Sequence, residues 1–136
     1  MTDYFSVLSG WLIPIKRAMD EWGIDFNSVL ADCGIKTSDF KVPESRISAE
    51  RVSQLIEYCN HLKKRHDFAI TVAENFHPGT FHTLGYAMMA SNNLYDAFKR
   101  IERYKKVVSN TCSIKIEEGP KVCKLVLTPF LYESTN

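Results

Sequence analysis

Leu94-Tyr95-Asp96-Ala97-Phe98-Lys99-Arg100-Ile101-Glu102-Arg103-Tyr104-Lys105-Lys106-Val107-Val108-Ser109-Asn110-Thr111-Cys112-Ser113-Ile114-Lys115-Ile116-Glu117 contains the change of rhythm that sets the fold class. Leu94, Ala97, Phe98, Ile101, Tyr104 and Val108 recur at the spacing that places side chains on one face of a helix. Asp96 lies in the first turn, where a carboxylate suits the positive end of the helix dipole. From Cys112 onward the period is two. Cys112, Ile114 and Ile116 alternate with Ser113, Lys115 and Glu117, the pattern of a half-buried strand. Glu118-Gly119-Pro120-Lys121 supplies a turn. Residues 122–128 then read as a second strand, more continuously apolar and so expected to be the more buried.

Working upstream, the chain reads as helices. Residues 4–12 predict a turn of helix broken near Gly10. The first full helix is expected to begin near Pro14, where a missing N–H costs nothing. Ile15, Ala18, Met19 and Trp22 form its apolar stripe and Gly23 stops it. Asp25 is the candidate N-cap of a short helix over 26–33, closed by Gly34. Residues 36–46, with Pro43, read as loop. Ser48 caps a helix whose stripe is Val52, Leu55, Ile56, Cys59 and Leu62, with Glu50 early and Lys63, Lys64 and Arg65 late. Asp67 starts another, with Phe68, Val72, Ala73 and Phe76 inward, and His77-Pro78-Gly79 ends it. Residues 83–90 form a short apolar helix, and Ser91-Asn92-Asn93 turns into the last one. The expected fold is α+β and mostly helical: five to six helices followed by a C-terminal antiparallel β-hairpin, within one domain over 1–136.

Composition narrows the function classes. The 136 residues suit one domain, and 45% apolar with 24% charged residues is the globular average. Seventeen basic against sixteen acidic residues give a formal charge of +1, which argues against an autonomous nucleic-acid binder. No apolar run approaches the roughly 18 residues of a membrane span. Met1-Thr2-Asp3 lacks the basic start of a signal peptide. Cys33, Cys59, Cys112 and Cys123 form no CxxC pair, which predicts reduced thiols in a cytoplasmic protein. Cys112 and Cys123 fall on neighbouring strands, but two small buried hydrophobes is the favoured reading.

Motifs of known chemistry are missing. There is no GxGxxG, P-loop, HExxH or GxSxG. His61 and His66, like His77 and His82, are five residues apart, a poor match to the tight repeated spacing of zinc ligands. They read as turn and surface histidines. Cys59 and His61 sit two apart on a helix and point away from each other. Glu50 and Glu57 share a face, as is common on solvated helices. No enzyme, metal or cofactor is therefore expected. Lys63-Lys64-Arg65 and the group Lys99, Arg100, Arg103, Lys105 and Lys106 read as solvated faces, with an anionic ligand or a contact surface as the sharper alternative. The 12% aromatic content fills a core by default. It also suits an aromatic-lined cavity with a few polar tips.

Several blocks carry a resemblance. Val29-Leu30-Ala31-Asp32-Cys33-Gly34-Ile35, Arg46-Ile47-Ser48-Ala49-Glu50-Arg51-Val52, Pro78-Gly79-Thr80-Phe81-His82-Thr83-Leu84-Gly85-Tyr86 and Ala97-to-Tyr104 occur in an order similar to the N-terminal effector domain of AraC/XylS-type transcriptional regulators, the arabinose-binding-like subgroup. The Leu84-Gly85-Tyr86 and Ala97-to-Tyr104 blocks are the most specific. Ala49 departs from the pattern, which has a larger apolar residue there. The resemblance implies a bacterial regulatory domain that senses a small-molecule effector, supports homodimerisation, or both. It also implies later strands and a DNA-binding helix-turn-helix part beyond Asn136, through which alone DNA would be a partner.

The candidate ligand site is the segment from Phe76 to Tyr86, with Phe81, Met88, Met89 and Tyr104 lining it. His82, Tyr86 and Tyr104 would be its polar tips, and Arg103 its contact for an anionic group. Core or surface placement is the alternative for each. The competing function is a pure dimerisation module using the last helix or the hairpin edge at 122–128.

Overall fold

The computed structural model describes residues 5–40 and 45–130. It opens on a strand, where a turn of helix was expected. β1 (Ser6–Leu8) pairs antiparallel with β2 (Arg46–Ser48), Val7 opposite Ile47. A tight turn over Ser9–Trp11 follows β1. Three residues are too few to show a period, and their partner lies beyond two helices. β2 falls at the end of the stretch read as loop. That stretch also holds a short turn at Thr37–Phe40, and its residues 41–44 lie outside the described residues.

α1 (Leu12–Trp22) starts two residues before Pro14, which therefore sits in the first turn, where no N–H is needed. Gly23 ends it with φ 65°, a left-handed conformation that costs glycine little. α2 (Phe26–Asp32) is capped by Asp25, whose carboxylate accepts from the Ser28 N–H at 3.0 Å. α3 (Ala49–Lys63) and α4 (Phe68–Glu74) complete the first half. Their shared core contains Ile15, Met19, Leu30, Leu55, Cys59 and Phe68, all fully buried. Leu62 and Ala73 are exposed, against expectation. Each stripe lost the position that drifts off the covered face, and α4 ends before His77.

A turn over Pro78–Phe81 leads into α5 (His82–Met89). α6 (Leu94–Val108) follows, its first turn capped by Asn93, which accepts from the Asp96 N–H at 2.8 Å. β3 (Cys112–Glu118) and β4 (Cys123–Pro129) form the expected hairpin, with Ile114 opposite Leu127 and Ile116 opposite Leu125. Among the described residues there are thus six α-helices ahead of a C-terminal antiparallel hairpin, an α+β fold that is mostly helical. The β1–β2 pair is the element the reading of the sequence lacked.

Burial corrects three further expectations. Along α6, Ala97 and Val108 are buried and Phe98 and Ile101 half-buried, but Leu94 is 67% exposed and Tyr104 is also exposed. β4 is the more exposed strand of the hairpin, not the more buried one. β3 packs against α6, and β4 stands one strand further out. Cys112 faces Pro129 while Cys123 faces Glu118, so the two thiols sit at opposite ends of the hairpin. Cys123 is exposed, not a buried hydrophobe. No helix among the described residues is long and apolar enough to cross a membrane.

Candidate functional site

The second half of the chain folds around one tryptophan of the first half. Trp11 leaves the β1–α1 turn and meets the Phe76 ring edge-on at 5.2 Å and the Phe81 ring at 6.1 Å. Phe76 and Phe81 stack on each other at 5.3 Å. Leu8, Leu84 and Val108 are buried beside this group, with Met88 packed against them. They form a second, smaller core.

Between that core, α6 and the hairpin lies a cavity of about 260 Å³. Phe81, Leu84 and Met88 wall it on the α5 side, and Ile101, Lys105 and Val108 on the α6 side. Ile114, Leu125 and the largely exposed Leu127 line it from the sheet, and Trp11 lines it from the first half. The polar groups are few. The hydroxyls of Ser109 and Thr111 are 2.9 Å apart and hydrogen-bonded to each other. Lys105 donates to the Cys112 carbonyl. The Trp11 indole N–H is buried and has no hydrogen-bond partner among the described residues, a state that costs on the order of 1–3 kcal/mol.

Side chains of α6 hold the hairpin over the cavity. Glu102 accepts the Ile116 N–H at 2.6 Å, and this bond keeps its carboxyl below the usual glutamate value of 4.5. A carboxyl lowered in the folded state stabilises above its unfolded value, and that contribution is lost as pH falls through the folded one. Acidification from neutrality to below 4.5 is therefore expected to loosen the hairpin. Glu102→Gln should show a smaller difference in melting temperature between the two conditions. An unchanged difference would remove Glu102 as the source.

Arg46 ties the two halves together. Its Nε donates to the Ser6 hydroxyl at 2.7 Å, Nη2 to the Ser6 carbonyl at 2.9 Å and Nη1 to the Val107 carbonyl at 2.9 Å. Asn110 adds a bond from the Ser6 N–H at 2.7 Å. The guanidinium thus caps the negative end of α6 beside the cavity. Arg46→Met is expected to cost about 1–2 kcal/mol, the worth of hydrogen bonds at an exposed site. Chemical denaturation measures it, and no loss would show that water replaces the clasp.

Of the residues singled out from sequence, Phe81 and Met88 line the cavity and Phe76 backs Phe81. His82 faces the other way. It joins Ser9, Leu12, Lys16 and Phe26 around a shallower depression, and its Nε2 is buried without a partner. His82 has φ 51°, a strained conformation for a side chain of its kind. Tyr86 and Met89 are 60% and 66% exposed on the outside of α5. Arg103 and Tyr104 line an open depression on the outer side of α6, the guanidinium 5.2 Å from its neighbour's ring. The eight residues therefore divide among four places. Sequence reasoning missed Lys105, read only as part of a basic face, and the hairpin residues Ile114, Leu125 and Leu127 as cavity lining. The alternating pattern marked Ile114 as inward, but the continuously apolar run at 122–128 did not separate the faces of the second strand.

Elsewhere, burial beside Cys33 pushes the Cys59 thiol up to about 12, and His61 is exposed. Among the described residues no group of His, Cys, Asp or Glu could hold a metal ion.

The family described as the arabinose-binding N-terminal domain of AraC transcription regulators matches residues 23–134. The chain belongs to that family. It is an N-terminal regulatory domain of the AraC type, and the match includes α5, α6 and the hairpin that line the cavity. Trp11, which completes the wall, precedes the matched segment. No curated protein matches the chain.

Proposed function

We propose that this domain senses a small-molecule effector in the α5–α6–hairpin cavity and through it controls a DNA-binding part of the regulator. One observation carries the reading: an apolar cleft of about 260 Å³ walled by α5, α6 and the hairpin. Apolar walls with few polar groups are the usual makeup of a ligand site. The role is regulatory and not catalytic. A ligand bound better in one arrangement of hairpin and α6 shifts the population toward it. The Arg46 clasp on Val107 passes that arrangement to the β1–β2 body.

A thermal-shift screen of small molecules on the purified chain tests this. Stabilising compounds are expected to lose their effect in Met88→Trp, which fills the cavity, and keep it in Tyr86→Ala and Arg103→Ala, which lie outside. A ligand indifferent to Met88→Trp would sink the cavity reading.

Self-association is a second reading, favoured by where exposed apolar side chains gather. Tyr86, Met89, Leu94, Val107, Val122 and Leu127 all project from the second half. Such concentrations mark contact surfaces. Light scattering is expected to give a homodimer that Leu94→Glu and Met89→Glu dissociate; a monomer at high concentration refutes it.

A further inference from the structure

We infer that the ligand of the α5–α6–hairpin cavity is a small carboxylate with an apolar body, and not a sugar. The inference rests on the sensor reading above and names the chemistry of its effector. The Ser109 and Thr111 hydroxyls share one hydrogen bond, and the Thr111 N–H also donates to the Ser109 hydroxyl. Lys105 is the only charged side chain among the described residues that line the cavity.

Lys105 has three N–H donors, of which one reaches the Cys112 carbonyl. The Phe130 ring lies 5.8 Å from its nitrogen. No carboxylate pairs with it among the described residues, although three other ion pairs are present there. The C-terminal turn of α6 offsets about half a charge at most. The cation thus lines an apolar wall without a full counter-charge. An oxygen anion supplies that counter-charge, whereas a neutral hydroxyl does not. The remaining lining, from Phe81 and Leu84 to Ile114 and Leu125, is hydrocarbon. A sugar would bury several hydroxyls against it, each costing on the order of 1–3 kcal/mol. The volume of about 260 Å³ sits below the roughly 300–1,000 Å³ of drug-sized sites, so the ligand is compact.

The test uses matched pairs on the purified chain: hexanoate with hexanol, cyclohexanecarboxylate with cyclohexylmethanol, and arabinose. Binding is read by tryptophan fluorescence, since Trp11 lines the cavity, and by thermal shift. The acids are expected to bind more tightly than their alcohols, and arabinose not at all. Lys105→Met should weaken the acids about ten- to a hundredfold, the worth of a hydrogen bond to a charged group, and leave the alcohols unchanged. Lys105→Arg should restore the acids, which separates charge from folding. Alcohols binding as well as acids, or acids unaffected by Lys105→Met, overturn the inference and leave the cavity reading standing. Binding of arabinose alone overturns it in favour of a sugar. If every probe is silent, the carboxylate class is refuted. The cavity reading then stands or falls on whether hits from the wider screen are lost in Met88→Trp.

Discussion

Gly85→Ala is expected to lower stability by about 3 kcal/mol or more, beyond the ordinary cost of overpacking. In a domain of this size that corresponds to roughly 10 °C in melting temperature. Elsewhere in a helix the same change would be favourable. Here α5 runs against the backbone of the preceding turn, and a Cβ on Gly85 would stand 1.7 Å from the Pro78 carbonyl oxygen. Backbone cannot swing aside as a side chain does, so α5 or the turn must move. Either movement displaces Leu84 and Met88, which wall the cavity. The variant should therefore lose stability and ligand response together. A thermal melt with near wild-type behaviour would show that α5 is not seated on Pro78 as described.

Phe68→Ala is expected to cost about 3–5 kcal/mol, the range for deleting a buried aromatic ring. Phe68 is 0% exposed and meets the Trp22 ring edge-on at 5.0 Å. Trp22 is in turn held by the Thr71 hydroxyl at 3.1 Å and covered by the Arg65 guanidinium at 4.1 Å. Removing the ring leaves a void that four packed helices cannot close. Ile70→Ala on the same helix, at a position 62% exposed, should change the urea midpoint little. Equal effects at the two sites would contradict the placement of α4. Because Phe68 belongs to the main core and not to the cavity's, a folded Phe68→Ala protein should still bind effector.

Much of this fold was legible residue by residue. The last helix is observed over the span its periodicity gave, and Asp25, Asn93 and Gly23 act as the caps and stop their residue types suggest. These features depend on neighbours three or four residues away. β1 was not legible, because three residues gain their meaning only from pairing with β2 across the intervening helices. The cavity was half legible. Phe81 and Met88 were found because aromatic and methionine side chains near a turn suggest a pocket. Tyr86, Met89 and Tyr104 belong to the same sequence blocks but lie on the solvent side of their helices. Lys105 was hidden among other cations, and only the docked hairpin distinguishes it from Lys106.

The change from helical to alternating period at residues 108–112 thus settles the fold class, and with the blocks around Leu84 and Ala97 it settles the family. Both follow from local spacing, which the chain carries wherever it folds. Which faces are covered is another matter. Burial of β3 before β4, exposure of Leu94 and Tyr104, and the meeting of Trp11, Lys105 and the hairpin around one cavity arise from contacts between residues far apart in the chain. No local period encodes those contacts, because they exist only once the second half has docked on the first.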